Sequence, residues 1–122
     1  MELKEIKQEF AVCKINSISQ VDGRDEYFFI GKTDEELSLV CGAKYIPNDC
    51  IECDTGWRGF RIEGVLDFSL IGILSKISKI LADNKIGIFA VSTYNTDYIL
   101  VKKENFQKAR QVLIDKGYIF NE

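Results

Sequence analysis

Histidine is absent from the 122 residues. That removes Ser-His-Asp and Cys-His catalysis and every His-ligated metal site. Lysine and carboxylate remain as bases, so enzymatic chemistry is narrowed rather than closed. Nothing places a nucleophile beside a base, and no catalytic residue is expected. An excess of positive charge is also missing: 16 Lys and Arg face 19 Asp and Glu, a net charge of −3. No global positive field therefore invites nucleic acid or an anionic membrane. The apolar run Leu70-Ile-Gly-Ile-Leu74 is far too short to span a bilayer. The charged start Met1-Glu-Leu-Lys-Glu5 carries no signal pattern, so the expected location is the cytoplasm.

What is present is a globular composition, with 46% hydrophobic and 29% charged residues. The length suits one compact domain, or at most two half-size units. The cysteines are Cys13, Cys41, Cys50 and Cys53. Cys50-Ile-Glu-Cys53 has the spacing of a redox pair or half a zinc site, but no helical pattern follows it and no second CxxC exists. A four-cysteine site would require Cys13 and Cys41 to converge on that pair. The expectation is that the cysteines are structural and reduced, Cys13 and Cys41 as small buried hydrophobes on strands, with no metal and no cofactor.

The second half of the chain is the more readable. Trp57 to Val65 alternates with a period of two, a strand. Asp67 or Ser69 is a candidate N-cap. From Leu70, apolar residues at 70, 73, 74, 77, 80 and 81 form the stripe of an amphipathic helix, with Asn84 as its stop. Ile86–Thr93 is a β-rich run, Tyr94-Asn-Thr-Asp97 supplies turn chemistry, and Tyr98–Lys103 returns as a partner strand. Phe106, Ala109, Val112 and Leu113 mark a second helix closed by Gly117, and Tyr118-Ile-Phe120 a final strand. The order β-α-β-β-α-β is the ferredoxin-like arrangement, an α+β class. In the first half, Phe10–Ile15, Tyr27–Ile30 and Leu37–Cys41 read as strands, with Thr33-Asp-Glu-Glu36 as a helical turn. Residues 1–56 are thus expected to form a smaller, β-rich half packed with the unit 57–122. Strands 86–93 and 98–103 are apolar at successive positions, a pattern that calls for cover on both faces, from the first half or from a second copy.

Order and residues together resemble an ACT domain, and more narrowly the subfamily of short bacterial tandem-ACT proteins and the CASTOR-type arginine sensors. The resemblance rests on Gly64-Val-Leu-Asp-Phe-Ser-Leu-Ile-Gly-Ile-Leu74, similar to the family's strand-to-helix ligand loop. It rests equally on the hairpin Ser92-Thr-Tyr-Asn-Thr-Asp97 with Ile99-Leu-Val101 behind it. Glu36–Cys41 is similar to the element preceding this domain in the bacterial members, which makes residues 1–56 a degenerate ACT-like half. The resemblance spans about residues 26–122.

The resemblance implies ligand capture at a seam between ACT units. The loop residues are Asp67, Phe68, Leu70, Ile71, Gly72 and Ile73, which offer backbone N–H groups to a carboxylate. The hairpin residues are Thr93, Tyr94 and Asp97, the last suited to an ammonium or guanidinium. The function so implied is a non-enzymatic regulatory module binding a small molecule, an amino acid by preference. It would act as a homodimer and report to an enzyme or regulator, with neither nucleic acid nor membrane as partner. The alternative is a docking or dimerisation module with a vestigial ligand site. The bland readings are an N-cap for Asp67, turn chemistry for Thr96 and Asp97, and helix packing for Gly72.

Overall fold

A computed structural model describes residues 1–63 and 72–122. The strands are β1 (Glu2–Lys14), β2 (Phe29–Lys32), β3 (Leu37–Gly42), β4 (Glu52–Ile62), β5 (Phe89–Ser92), β6 (Asp97–Lys102) and β7 (Ile119–Asn121); the helices are α1 (Ile73–Asp83) and α2 (Phe106–Asp115). The chain forms two compact units, Met1–Lys7 with Arg58–Glu122, and Gln8–Trp57. Strands β1 and β4 contribute residues to each.

In the unit containing residues 58–122, the elements run β4-α1-β5-β6-α2-β7, an α+β, ferredoxin-like order with mostly antiparallel pairing. The apolar stripe of the sequence becomes the buried face of α1: Ile77 and Leu81 are fully buried, and Ile73, Leu74 and Ile80 pack against the same core. Asn84 closes the helix, as its position after the last periodic residue predicts. Helix α2 buries Phe106, Ala109 and Leu113. It ends in a Schellman motif: the Gly117 N–H donates to Ile114 O at 2.9 Å and the Tyr118 N–H to Leu113 O at 3.1 Å. Gly117 has φ 97°, the left-handed conformation this motif demands.

The first strand departs from the expected arrangement. Its initial residues belong to this unit, where Glu2, Leu3 and Lys4 pair in parallel with Ile119, Phe120 and Asn121 of β7. On the other side the Glu63 N–H donates to Glu2 O at 2.9 Å. A split βαβ unit alone would set its last strand beside its first; here residues 2–7 lie between β7 and β4. Burial of Leu3 explains the placement, since it enters the core with Phe60, Ile62, Ile99 and Val101. No alternation marks Glu2–Glu9 strongly enough to show this in advance.

Both faces of β5 and β6 matter, as their composition predicts. Ile99 and Val101 face the helix-lined core. On the other face, Leu100 is 0% exposed and Phe89, Val91 and Tyr98 are half-buried.

The unit of residues 8–57 has the strand order β2-β3-β1-β4. Ala11, Cys13, Ile15, Leu39 and Cys41 form its core, covered by Val21, Phe28, Ile46 and Cys50 from loops. Residues 33–36 are not a helical turn but the turn of a β-hairpin. The Thr33 N–H donates to Glu36 O at 2.9 Å, and the Thr33 hydroxyl oxygen accepts from the N–H groups of Glu35 and Glu36 at 3.1 Å. Acidic residues after a threonine read equally as a helix start or an ST-turn, and the flanking strands decide for the turn.

That hairpin repeats. Phe29 pairs with Val40 and Lys32 with Leu37, as Phe89 pairs with Leu100 and Ser92 with Asp97. The register is the same with every number raised by 60 (89 − 29, 100 − 40). Each hairpin leads into a one-turn 3₁₀ helix, at Ala43–Tyr45 and Lys103–Asn105. Between β1 and β2, where the later unit places α1, only the 3₁₀ turn Ile18–Gln20 occurs.

Candidate functional site

The Thr93–Thr96 turn is tightly knit. The Thr93 N–H donates to Thr96 O at 2.8 Å, and the Thr93 hydroxyl donates to the same carbonyl at 2.9 Å. Thr96 is 8% exposed, and its hydroxyl donates to Ile62 O at 2.7 Å. This bond holds the hairpin turn at the end of β4, from which residues 64–71 lead on to α1. Asp97 opens β6 and is half-buried; its Oδ1 accepts from the Ser92 hydroxyl at 2.6 Å. Tyr94 projects from the turn and is 84% exposed.

At the start of α1 the N-cap is Gly72, with φ 83° and ψ 0°. Its carbonyl accepts the first helical bond, from the Lys76 N–H at 2.9 Å. Glycine has no hydroxyl or carboxylate to cap the first turn, so the N–H groups there gain no side-chain partner from it. A Cβ at this position would meet nothing within 4 Å among the described residues. Ile73 is the first helical residue and packs against the core. Helix α1 therefore begins three residues later than the stripe from Leu70 predicts, and the cap is not the expected Asp67 or Ser69. Asp67, Phe68, Ser69, Leu70 and Ile71 lie outside the described residues.

Of the site residues expected from the sequence, Thr93, Tyr94 and Asp97 thus share one hairpin, and Gly72 and Ile73 one helix end. Two neighbours escaped the sequence reading. Thr96 looked like simple turn chemistry, and only tertiary structure gives its hydroxyl the Ile62 carbonyl. Arg61, near the end of β4, donates to the Glu63 carboxylate at 2.9 Å and to the Tyr98 hydroxyl at 3.4 Å. The bond to Glu63 holds its guanidinium firmly protonated. The turn's anchor is directly testable. Thr96→Val keeps the shape but leaves the buried Ile62 carbonyl without its donor, and is expected to cost about 1–3 kcal/mol by urea denaturation. Thr96→Ser should retain most of that stability.

The unit of residues 8–57 carries a second concentration of chemistry, against expectation. The sulfurs of Cys13, Cys50 and Cys53 all lie within 4.8 Å of one another. Cys13 Sγ is 3.4 Å from Cys53 Sγ. Cys13 is buried on β1, Cys50 half-buried in the loop before β4, and Cys53 exposed on β4. Strand β4 starts at Glu52, earlier than the alternation from Trp57 predicts, and the β1–β4 neighbourhood carries Cys13 to the CxxC pair. Burial pushes the pKa of Cys41, on β3, up to about 11. Burial raises Cys13 further still, reinforced by the Cys53 thiol. Cys13 and Cys41 are buried on strands as expected, and the neighbouring strands β1 and β4 bring Cys13 to the CxxC pair, which spacing within either segment does not announce.

The ACT domain family matches residues 52–115. A crystal structure of a protein from Agobacterium tumefaciens is 31% identical, covers 98% of this chain and 91% of its own, and superposes with a TM-score of 0.88. The chain belongs to the ACT domain family. The ligand-free regulatory subunit of aspartate kinase from Thermus thermophilus has the same fold, with a TM-score of 0.66 at 8% identity over 93% of this chain and 95% of that one. Aspartate kinase from Synechocystis does so over 99% of this chain and 27% of its own, with a TM-score of 0.71 and 13% identity. No curated protein matches the chain. Among the described residues, no helix of this ACT protein is long and apolar enough to cross a membrane.

Proposed function

We propose that this ACT protein is a non-enzymatic regulatory module that binds an amino acid between residues 67–73 and the 93–97 hairpin, in the manner implied by its resemblance to the CASTOR-type sensors. The observation that carries the reading is the Thr96–Ile62 hydrogen bond, which keeps the hairpin turn at the strand end leading towards Gly72. The α1 N-terminus offers N–H groups and a positive dipole end to a carboxylate. Asp97 offers a carboxylate to the ammonium or to a cationic side chain. Among the described residues, nothing lies within 4 Å of a Cβ placed at Gly72. The fold shared with an aspartate kinase regulatory subunit supports a regulatory role.

In this reading residues 1–56 and 57–122 are tandem ACT-like halves, the first reduced by loss of its helices. The matching hairpins support it. The module acts in the cytoplasm as a homodimer and reports ligand to an enzyme or regulator. The edge position of β5 and the half-buried Phe89, Val91 and Tyr98 also favour a second reading, a docking module without ligand.

A thermal-shift panel of free amino acids separates the two, because a ligand that binds only the native state raises its apparent stability. At least one amino acid is expected to do so; indifference to the whole panel selects the docking module. Asp97→Asn should then weaken the active amino acid about ten- to a hundred-fold by calorimetry, the loss of one charge-assisted bond. Melting of the unliganded variant should stay close to that of the parent.

A further inference from the structure

The cysteine cluster has no part in the amino-acid reading. Hydrophobic packing explains Cys41 and the half-buried Cys50, but not the exposed Cys53. The sulfurs of Cys50 and Cys53 nevertheless converge on that of buried Cys13 from two segments of chain. In a tetrahedral thiolate site with Zn–S of about 2.3 Å, neighbouring sulfurs stand roughly 3.8 Å apart. The spacing found, 3.4 Å for the Cys13–Cys53 pair and under 4.8 Å for the set, brackets that value. Small side-chain rotations would bring three sulfurs onto one ion.

The surroundings suit a cation. Cys13 and Cys53 border an open groove of about 570 Å³ whose rim carries Glu36, Glu52 and Asp54, with Lys14 as the countercharge. Carboxylates along such a groove raise the local concentration of a divalent ion. Lys14 lines the same groove, on the residue after Cys13, and brings a positive charge to the neighbourhood of the three thiols.

We propose that Cys13, Cys50 and Cys53 form a zinc site, with its fourth position open to the groove. Binding is an exchange of protons for metal. Three S–H groups each lose a proton to solvent, three S–Zn bonds form, and no oxidant or reductant takes part. Zinc is favoured because thiolates select soft or borderline ions over magnesium and calcium, and because its tetrahedral geometry tolerates three protein ligands plus an exchangeable one. The open position makes this a site able to take up and release metal rather than a closed structural staple.

The test uses the full chain, reduced with a phosphine and stripped of metal, titrated with Zn²⁺ against a chromophoric chelator. One ion per chain is expected, with release of up to three protons at neutral pH. Co²⁺ in its place should give thiolate charge-transfer and tetrahedral ligand-field bands. Cys50→Ser and Cys53→Ser, at half-buried and exposed positions, should each weaken Zn²⁺ about a hundredfold or more, exceeding the 10–100-fold typical of disturbing a ligand's supporting partner. Circular dichroism of the metal-free variants should match the parent. Absence of stoichiometric zinc in the reduced parent would overturn the site, as would affinity unchanged in both folded variants. Cobalt spectra without thiolate bands would do the same.

Discussion

Val101→Lys is expected to be strongly destabilising to the unit containing residues 58–122. Val101 lies on β6 at 0% exposure, in the core that includes Ile77, Leu81 and Leu113. An ammonium group there has no anion to meet in the core cluster, and an uncompensated buried charge costs about 3–5 kcal/mol. Domains hold only about 5–15 kcal/mol in total, so the loss should lower the urea midpoint sharply. A far-UV signal and urea midpoint close to the parent's would contradict this packing. Val91→Lys is the informative contrast. Val91 faces the opposite side of the sheet, across from Tyr98, and is half-buried. Its lysine can carry the charge to water along its apolar stem, so the fold should survive. If the β5 face joins two copies, the same change should halve the molecular mass found by sedimentation. An unchanged mass would place the self-association elsewhere.

Gly72→Val should combine the largest loss of ligand with a measurable loss of stability. Gly72 has φ 83°, where a β-branched residue is a true outlier. The strain costs about 1–2 kcal/mol. Among the described residues no atom stands within 4 Å of the new Cβ, and this strain is that of the backbone conformation. Two methyl groups at the helix N-terminus should also exclude a carboxylate from the first-turn N–H groups, reducing amino-acid affinity beyond the roughly hundredfold limit set for Asp97→Asn. Gly72→Asn separates the effects, because asparagine tolerates the left-handed region. It should restore most of the stability while still obstructing the ligand. Full affinity in both variants would remove this helix end from the site.

Much of the C-terminal unit was legible because its signals are local. The 3.6-residue stripe of α1, the Asn84 stop, the Gly117 turn and the Ser92–Asp97 hairpin each depend on residues a few positions apart. The candidate amino-acid site was legible only through motif resemblance, and the four expected residues Asp67, Phe68, Leu70 and Ile71 fall outside the described segments. Thr33–Glu36 was misread because a threonine followed by acids opens a helix as readily as it closes a hairpin. The choice is made by the pairing of Lys32 with Leu37.

By itself, then, the sequence determined fold class, the order of helices and strands from Trp57 onward, and the exclusion of histidine chemistry, all properties of composition or short-range periodicity. Tertiary structure alone decided which distant residues meet. It set Leu3 among the C-terminal core residues, gave the Thr96 hydroxyl the Ile62 carbonyl, and brought Cys13 to Cys50 and Cys53. Strand pairing has no fixed sequence separation. The neighbouring strands β1 and β4 bring together Cys13 and Cys53, forty positions apart, and no spacing rule within either segment announces the encounter.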